Sequence, residues 1–305
     1  MLSRRLVRRF ALALAIAVLA VGGCGELAQK ERELTFRVVP GEASWFSGLP
    51  QGVREMDIPI AAEDGPAQRI HAWWWPADDA AAPAVLYLHG SRWNLTGQLF
   101  RIRQLHEFGF AVLAVDYRGF GKSEGGVPSE RSVYEDARAA WREFAALVPD
   151  PRRRILYGHS LGGAVAVDLA AWLDRHAGDD EPARGLVVES SFTTLADVAR
   201  AMSYDWLPVE WILSQKFDSL GKIGEVRMPV LFVHGAADRF IPARFSQALY
   251  DAARTRKRLL LVDGATHNNS MRVAPDAYRD ALFALFGLHE PDASPAPAPR
   301  ARGTS

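Results

Sequence analysis

Cysteine is nearly absent from this chain of 305 residues, in which Cys24 is the only one. A single cysteine excludes an intramolecular disulfide bond. The eight histidines show no HExxH-like spacing, so a metal site would need scattered His, Asp and Glu side chains. We therefore expect no structural metal, and the chemistry derived below needs no cofactor.

The chain also lacks an excess of charge of either sign, since Lys plus Arg and Asp plus Glu both total 36. Bulk charge that would draw a protein to nucleic acid or anionic lipid is missing, and we expect no nucleic-acid partner. Hydrophobic residues make up 49% and charged residues 24%, which suits one large α/β domain with a sizeable core.

The apolar run nearest the N-terminus is too short to cross a bilayer. Phe10 to Val21 spans 12 residues, short of the ~20 that a membrane-spanning helix needs. The run follows four arginines at positions 4, 5, 8 and 9, so residues 1–23 have the basic and apolar parts of a secretory signal. We predict that this segment is a targeting signal and not part of the fold.

Cys24 stands directly after the apolar run, behind Val21, Gly22 and Gly23. The pattern resembles a bacterial lipobox, in which small residues precede a cysteine that is lipidated and becomes the new N-terminus. It predicts a lipoprotein of the cell envelope, held to a membrane by acyl chains on Cys24 without spanning it. The alternative is a plain signal peptide, with a secreted or periplasmic product.

Beyond a polar stretch, the chain reads first as strands and then as alternating strands and helices. Residues 34–39, 53–60 and 70–75 predict the antiparallel start of a mixed sheet. The later strands are near-continuous apolar runs, typical of strands buried on both faces: Ala84 to Leu88, Ala111 to Val115, Ile155 to Tyr157, Leu186 to Val188, Val230 to Val233 and Leu259 to Val262. Helix-like segments lie between them, which indicates parallel βαβ units.

Composition sets the expected boundaries. Residues 24–34 are predicted as a linker, 35–289 as the folded domain, and 290–305 as a disordered tail because of its Pro-Ala repeat. Residues 190–228 fall between two core strands and are rich in aromatic and aliphatic side chains, so we expect a small lid. One hypothesis is that its apolar residues line an acyl pocket or contact a lipid surface. The alternative is that they pack the lid against the domain.

Gly158-His159-Ser160-Leu161-Gly162 fits the pattern G-x-S-x-G. It follows the predicted strand 155–157 and opens a helical run, which is the sharp strand-to-helix turn that the motif requires. A serine hydroxyl is a poor nucleophile until a base takes its proton, so a histidine held by a carboxylate is needed. We predict Ser160 as the nucleophile.

Asp238 and His267 follow Ser160 in the chain order typical of this kind of site, Ser then Asp or Glu then His. Each follows the end of a predicted strand, where sites in open α/β sheets gather. Two other carboxylates are candidates for the acid: Asp263 is close to His267 in sequence, and Glu189 follows the strand 186–188. We favour Asp238, because its loop can approach the imidazole from the side opposite Ser160.

The oxyanion hole is predicted from two backbone N–H groups. One comes from Ser91, in the loop after the strand Ala84 to Leu88, and the other from Leu161, directly after the nucleophile. His89 and His234 both precede a glycine at a strand end, and we expect them to brace their loops.

Several motifs together resemble one family. They are His89-Gly90, Asp116 to Gly125, Gly158 to Gly163, Glu189 to Thr193, and His234 to Pro242. On these motifs, over residues 35 to 288, the sequence resembles the α/β-hydrolases of the Bem46-like group, relatives of the mammalian α/β-hydrolase-domain proteins 12, 13 and 17. The resemblance implies an α/β-hydrolase fold: a mostly parallel eight-stranded sheet flanked by helices, with a small helical lid.

The resemblance implies hydrolysis of an acyl ester or thioester, with a lipid, an acylated protein or a small ester as substrate. The same three residues also suit an amide or a carbon–carbon bond, because a fold does not fix a function. A third hypothesis is an envelope lipoprotein that binds a ligand without turnover.

Overall fold

The structure is a computed structural model that describes residues 25–39, 41–60, 67–176, 182–204 and 208–288. The predicted signal segment 1–23, Cys24 and the predicted tail 290–305 lie outside the described residues, as do Trp206 and Leu207 of the lid. Among the described residues, no helix combines the length and the apolar character that a membrane crossing requires.

Eight strands form one sheet in the order β1-β2-β4-β3-β5-β6-β7-β8. β1 and β2 pair antiparallel, β2 meets β4 antiparallel, and all later pairings are parallel. The strands are β1 Arg54–Ile60, β2 Gln68–Trp75, β3 Ala84–Leu88, β4 Ala111–Val115, β5 Arg154–His159, β6 Gly185–Glu189, β7 Val230–Gly235 and β8 Lys257–Val262. This mostly parallel sheet with flanking helices is the α/β-hydrolase fold, so the predicted fold class is confirmed.

Most helices lie in the connections between these strands, with one helix before β1 and two after β8. They are α1 25–36, α2 Leu95–Glu107, α3 Glu130–Leu147, α4 Leu161–His176, α5 Leu195–Ala199, α6 Val209–Ile212, α7 Ser219–Ile223, α8 Arg244–Ala252, α9 Ser270–Val273 and α10 Pro275–Phe286. A 3-10 turn at Pro151–Arg153 precedes β5, and a π-helical turn at Arg200–Tyr204 follows α5.

Local residues explain where several helices begin and end. The Asn94 side chain accepts from the N–H of Thr96 at the start of α2, and Ser129 caps α3 in the same way. Each cap satisfies a backbone donor that has no partner inside the helix. Pro275 opens α10, where its missing N–H costs nothing. Gly287 ends the same helix with φ 58°, a left-handed conformation that glycine adopts without strain.

The two faces of the sheet carry separate hydrophobic clusters because successive strand residues point to opposite sides. In β3, Leu86 and Leu88 pack on the face covered by α3, α4, α7 and α8, whereas Val85 and Tyr87 pack on the face covered by α2 and α10. All five residues of β3 are buried. Burial on both faces accounts for the continuous apolar runs in the sequence.

One predicted strand is wrong. Residues 34–39 begin as the last turn of α1 and continue as irregular chain, and residues 25–36, expected mostly as a linker, are helical. Strand-forming residues 34–39 bury only Phe36, at 0% exposure. Its ring packs edge-on against Phe217, 6.0 Å away between centroids. The carbonyl oxygens of Phe36 and Val39 accept from the Arg92 N–H at 2.8 Å and the Asn94 side chain at 3.4 Å, so these contacts and not sheet pairing hold the segment.

Candidate active site

Ser160 sits on the sharp turn between β5 and α4 and has φ 55°. A non-glycine residue with positive φ is strained, and such strain gathers at functional sites. The turn is held from both sides: the Ser160 N–H donates to the Glu189 carbonyl oxygen at 2.9 Å, and the Gly163 N–H donates to the Ser160 carbonyl oxygen at 2.9 Å. The sequence therefore folds into the exposed-serine turn that the motif predicted.

Glycine is required on this turn because two loops meet there. A Cβ placed on Gly162 would lie 2.1 Å from the Leu88 carbonyl oxygen and 2.5 Å from that of His89. A Cβ on Gly90 would lie 3.0 Å from the Ser160 Cβ. The loop after β3 is thus in direct contact with the serine turn.

Three side chains from three loops meet at the carboxyl edge of the sheet. His267 Nε2 lies 3.0 Å from Ser160 Oγ, and His267 Nδ1 lies 2.7 Å from Asp238 Oδ2. The two ring nitrogens face opposite partners, which is the arrangement a Ser-His-Asp site needs. Asp263 is exposed at the start of the histidine loop, so the structure brings together the three predicted residues and leaves this rival outside.

Asp238 is held in the orientation that reaches His267. Its Oδ1 accepts from the backbone N–H groups of Phe240 at 2.8 Å and Ile241 at 3.0 Å, and His234 Nε2 lies 3.2 Å from its Oδ2. Burial by itself raises the pKa of Asp238, but hydrogen bonds from His234 and His267 outweigh it and hold that pKa well below its ordinary value. The carboxylate is therefore charged at neutral pH.

His234 and His89 brace their loops, as expected. His234 Nδ1 lies 2.6 Å from Ser246 Oγ, and its Nε2 lies 2.8 Å from the Ile241 carbonyl oxygen. His89 is fully buried, and its ring Nδ1 lies 2.7 Å from the Gly90 carbonyl oxygen in its own loop. The His234 ring thus supports the Asp238 carboxylate, whereas the direct line from Asp238 to Ser160 runs through His267.

Both predicted oxyanion donors border the space above Ser160. Ser91 and Leu161 line the same cavity as Ser160 and His267. Leu161 is the first residue of α4, and the first N–H groups of a helix have no acceptor within it. That N–H is available to an oxygen bound above Ser160. The donor roles themselves remain predictions.

Glu189, the second rival for the acid, is occupied elsewhere. It is fully buried, and its Oε2 lies 3.3 Å from Arg101 Nε and accepts hydrogen bonds from the hydroxyls of Tyr157 and Tyr278. Arg101, 1% exposed, also donates from Nη2 to the carbonyl oxygen of Asn268, 3.3 Å away. This buried ion pair lies under the site, between the serine turn and the histidine loop.

His159 adds a second support to the histidine loop. Its Nε2 lies 2.9 Å from the His267 carbonyl oxygen. Burial, aided by the positive charge of Arg101, lowers the pKa of His159 well below its ordinary value. The ring is therefore neutral, with the Nε2 proton donated to that carbonyl. Arg101 could not be predicted as part of the site, because an arginine in a helix gives no sign that it is buried.

A cavity of about 560 Å³ lies above Ser160, and its walls are mostly apolar. The lid contributes α5, α6 and the turn between them, and the loop after β7 contributes Phe240 and Ile241. The lid residues that line it are Phe192, Leu195, Val198, Ala199, Met202, Val209, Ile212 and Leu213. Phe217, in contrast, is fully buried against Phe36 and Tyr134. The apolar residues of the lid thus divide between the cavity wall and the contact with the domain.

Helix α1 forms a wall of this cavity that sequence analysis missed. Leu27 and Leu34, seven residues apart on one helix face, both line it. The Glu31 carboxylate, on the same face, accepts from the backbone N–H groups of Ser214 and Gln215 in the lid at 2.9 and 2.8 Å. The seven-residue spacing of the two leucines was the available sign of a helix with one apolar face. The polar residues between them made the segment resemble a linker.

The arrangement of acidic and histidine side chains does not suit a metal ion. Within the ranges that the structure describes, no group of three or more His, Cys, Asp or Glu side chains is arranged to hold one. The chemistry that the arrangement offers is nucleophilic attack by an activated hydroxyl.

Comparison with known proteins agrees with this geometry. Residues 79–221 match the family model described as serine aminopeptidase, S33. The Mycobacterium tuberculosis protein Rv2307c is 35% identical over 278 residues, which cover 88% of this chain and 93% of that protein. The chain belongs to this family of α/β-hydrolases. The predicted family is therefore confirmed at the level of the α/β-hydrolases.

Two further similarities bear on this hydrolase. The lysophosphatidylserine lipase ABHD12 of Danio rerio is 32% identical over 204 residues, or 61% of this chain and 51% of that protein. The solved structure of the Pyrococcus furiosus esterase Pf2001 has a TM-score of 0.61 at 21% identity, covering 83% of this chain and 97% of the esterase. The esterase establishes the shared fold.

Proposed function

We propose that this hydrolase is a serine hydrolase that cleaves a carboxylic ester or thioester through an acyl-enzyme. The observation that carries the proposal is the continuous line of two hydrogen bonds from Asp238 through His267 to Ser160 at the floor of an apolar cavity. Such a line activates a hydroxyl that is otherwise a poor nucleophile. The cavity places apolar surface beside the hydroxyl, as an acyl group requires.

Under this proposal each group carries out one step. His267 Nε2 takes the proton of Ser160 Oγ as the oxygen attacks the substrate carbonyl carbon, and Asp238 holds the ring and stabilises the imidazolium. The backbone N–H groups of Ser91 and Leu161 receive the developing oxyanion. His267 then protonates the leaving group, and a water molecule, activated by the same ring, releases the acid.

The cavity supports the proposed substrate class. Its apolar lining favours an acyl chain carried by a lipid, an acylated protein or a small ester. The names of two similar proteins, a lysophosphatidylserine lipase and an esterase, support ester cleavage. An amide is the second candidate, because the family model that matches is described as a serine aminopeptidase.

The test is labelling of the protein by a fluorophosphonate probe, with turnover measured on acyl esters of increasing chain length and on matched amides. Ser160→Ala is expected to abolish labelling and turnover while leaving the protein folded. Ser44→Ala, at an exposed serine away from the turn, is the matched control and keeps both. Turnover above a few per cent in Ser160→Ala, with contamination excluded, would refute Ser160 as the nucleophile. A wild-type protein that is neither labelled nor active would leave ligand binding without turnover as the remaining hypothesis.

We also propose that the mature protein is a membrane-anchored lipoprotein of the cell envelope that begins at Cys24. The proposal rests on the lipobox-like sequence Val21-Gly22-Gly23-Cys24. It is supported by the position of α1, which starts within one residue of this cysteine and contacts the domain through Glu31. An anchor at Cys24 would therefore hold the domain close to the membrane.

A further inference from the structure

Large exposed hydrophobic side chains are concentrated around the mouth of the cavity. Among the described residues, eleven such side chains are exposed, and five of these also line the cavity above Ser160. The five are Leu27, Leu34, Met202, Ile212 and Phe240. They come from α1, the lid and the loop after β7. Three separate parts of the chain thus bring apolar surface to one place.

Trp45 extends this surface. It is 58% exposed, and its ring meets that of Trp93 edge-on with 4.6 Å between centroids. Trp93 itself lines the cavity. Contiguous apolar surface of this kind marks an interaction site, whereas single exposed hydrophobic residues need no explanation.

Basic side chains accompany the apolar surface. Lys30, Arg37 and Arg92 line the same cavity, and Glu31 is the only acidic residue that lines it in the described part of the chain. The Glu31 carboxylate accepts hydrogen bonds from Ser214 and Gln215. Lys30 forms an ion pair with Glu33 at 3.0 Å, so the positive charge at the mouth comes from the two arginines. The mouth is therefore locally basic although the whole chain carries no net charge.

We propose that this mouth rim, formed by Leu27, Leu34, Met202, Ile212 and Phe240 with Arg37 and Arg92, docks onto the surface of an anionic bilayer. Apolar side chains that enter the interface beside basic groups that meet lipid headgroups are the features of an interfacial membrane contact. An acyl chain then enters the cavity directly from the membrane. Docking itself does not depend on turnover and so goes beyond the proposed function.

The course of the chain favours a bilayer over a protein partner. α1 supplies two of the rim residues, and the residue before it is Cys24, the predicted point of lipid attachment. An anchor there would hold α1 within one helix length of the lipid surface. The seven residues between Leu27 and Leu34 correspond to about 10 Å of helix, at ~1.5 Å per residue, so both leucines fit into one interface.

The test measures local polarity at single positions of the full chain. Cys24 is the only cysteine, so a Cys24→Ala background accepts one new cysteine for an environment-sensitive fluorophore. The labelled variants are Leu34→Cys and Phe240→Cys in the rim, and Leu261→Cys as the matched control. Leu261 is 47% exposed on β8, an edge strand, and does not line the cavity. Circular dichroism verifies that each variant is folded.

Vesicles of equal parts phosphatidylglycerol and phosphatidylcholine are expected to shift the emission of the labels at 34 and 240 to shorter wavelength. The shift should be smaller on phosphatidylcholine alone and should shrink at high salt, because screening weakens surface charge interactions. The label at 261 should stay unchanged. Arg37→Glu with Arg92→Glu should remove the preference for phosphatidylglycerol. Binding through the N-terminal apolar run cannot mimic this pattern, since the readout is local to each label.

Three outcomes would overturn the proposal. One is an unchanged emission at 34 and 240 when vesicles bind, and another is an equal shift at 261. The third is an apolar environment at 34 and 240 before any lipid is added, which would mean that the rim is covered by the chain's own N-terminal segment or by a second copy. Repeating the measurement in Ser160→Ala separates the two proposals, since that variant is expected to dock normally while losing turnover.

Discussion

Replacement of Arg101 by methionine isolates the buried ion pair beneath the site. Arg101 is 1% exposed and Glu189 is 0% exposed, so the change leaves a carboxylate in a place without water. Losing one partner of a buried pair typically costs about 3–5 kcal/mol. The hydroxyls of Tyr157 and Tyr278 still reach Glu189, and we expect a loss near the lower end, about 3 kcal/mol.

The double variant Arg101→Met with Glu189→Met separates charge burial from loop support. Replacing a whole buried pair by apolar side chains is often neutral for stability, so most of the unfolding free energy should return. The hydrogen bond from Arg101 to the Asn268 carbonyl oxygen is not restored. Because small misplacements of a catalytic group lower turnover by up to roughly 10²-fold, kcat should stay reduced in the double variant, with KM nearly unchanged.

Urea unfolding gives the free energies, and steady-state kinetics on an ester substrate give the second readout. Arg101→Lys is the control for charge, because it keeps the positive group but lacks the second donor arm that reaches Asn268. It should retain more stability than Arg101→Met. A loss below about 1 kcal/mol in Arg101→Met, far under the usual cost of an unpaired buried charge, would show that Glu189 does not need its partner. A double variant with normal kcat would show that Arg101 does not support the histidine loop.

Two further predictions concern the serine turn and the N-terminus. Gly162→Ala should lower turnover strongly and reduce stability, because its Cβ would lie 2.1 Å from the Leu88 carbonyl oxygen. Steady-state kinetics measure the turnover and thermal unfolding measures the stability. Gly126→Ala is the control, because a Cβ at that position meets open space. Cys24→Ala should release the protein from the membrane fraction of cells when the membranes are washed at high salt, which also weakens docking through the rim. Mass spectrometry of the wild type should find acyl chains on an N-terminal Cys24, and an unmodified N-terminus elsewhere would contradict this.

The grouping of the three side chains at the site was predictable from the sequence because it depends on short motifs at strand ends. Ser160, Asp238 and His267 each follow a buried apolar run, and parallel strands bring their carboxyl ends to one edge. Two of the predicted runs, Ala84 to Leu88 and Ala111 to Val115, match their strands residue for residue. A strand buried on both faces has a sequence that few other elements share.

The supports and walls of the site were not predictable in the same way, because they depend on contacts between distant segments. Arg101 looks like a surface residue of α2 until Glu189, 88 positions later, meets it in the interior. Helix α1 has a polar sequence, and its place in the cavity wall depends on Glu31 reaching the lid 183 residues away. Periodicity within a segment carries no information about such pairings.

The identity of the acid is the point on which the site can be tested most sharply. Asp238 Oδ2 lies 2.7 Å from His267 Nδ1, so it selects the tautomer whose Nε2 accepts the serine proton. The substitution Asp238→Asn places an amide beside the imidazole, and that amide can hold the ring in the wrong tautomer. The kcat of the variant should therefore fall by a factor of up to roughly 10⁴, the loss that the same change causes in a serine protease with a Ser-His-Asp triad.

Asp263→Asn is the matched control, because it makes the same change four residues before His267, at an exposed carboxylate. It should keep kcat within a few-fold of the wild type, since its side chain lies at the turn and not at the imidazole. Fluorophosphonate labelling rates would follow the same order, because labelling requires the same activated hydroxyl. Reversed effects of the two variants would assign the acid to Asp263 while leaving Ser160 and His267 in place, and equal small effects would mean that the hydrogen bond at 2.7 Å does not orient the base.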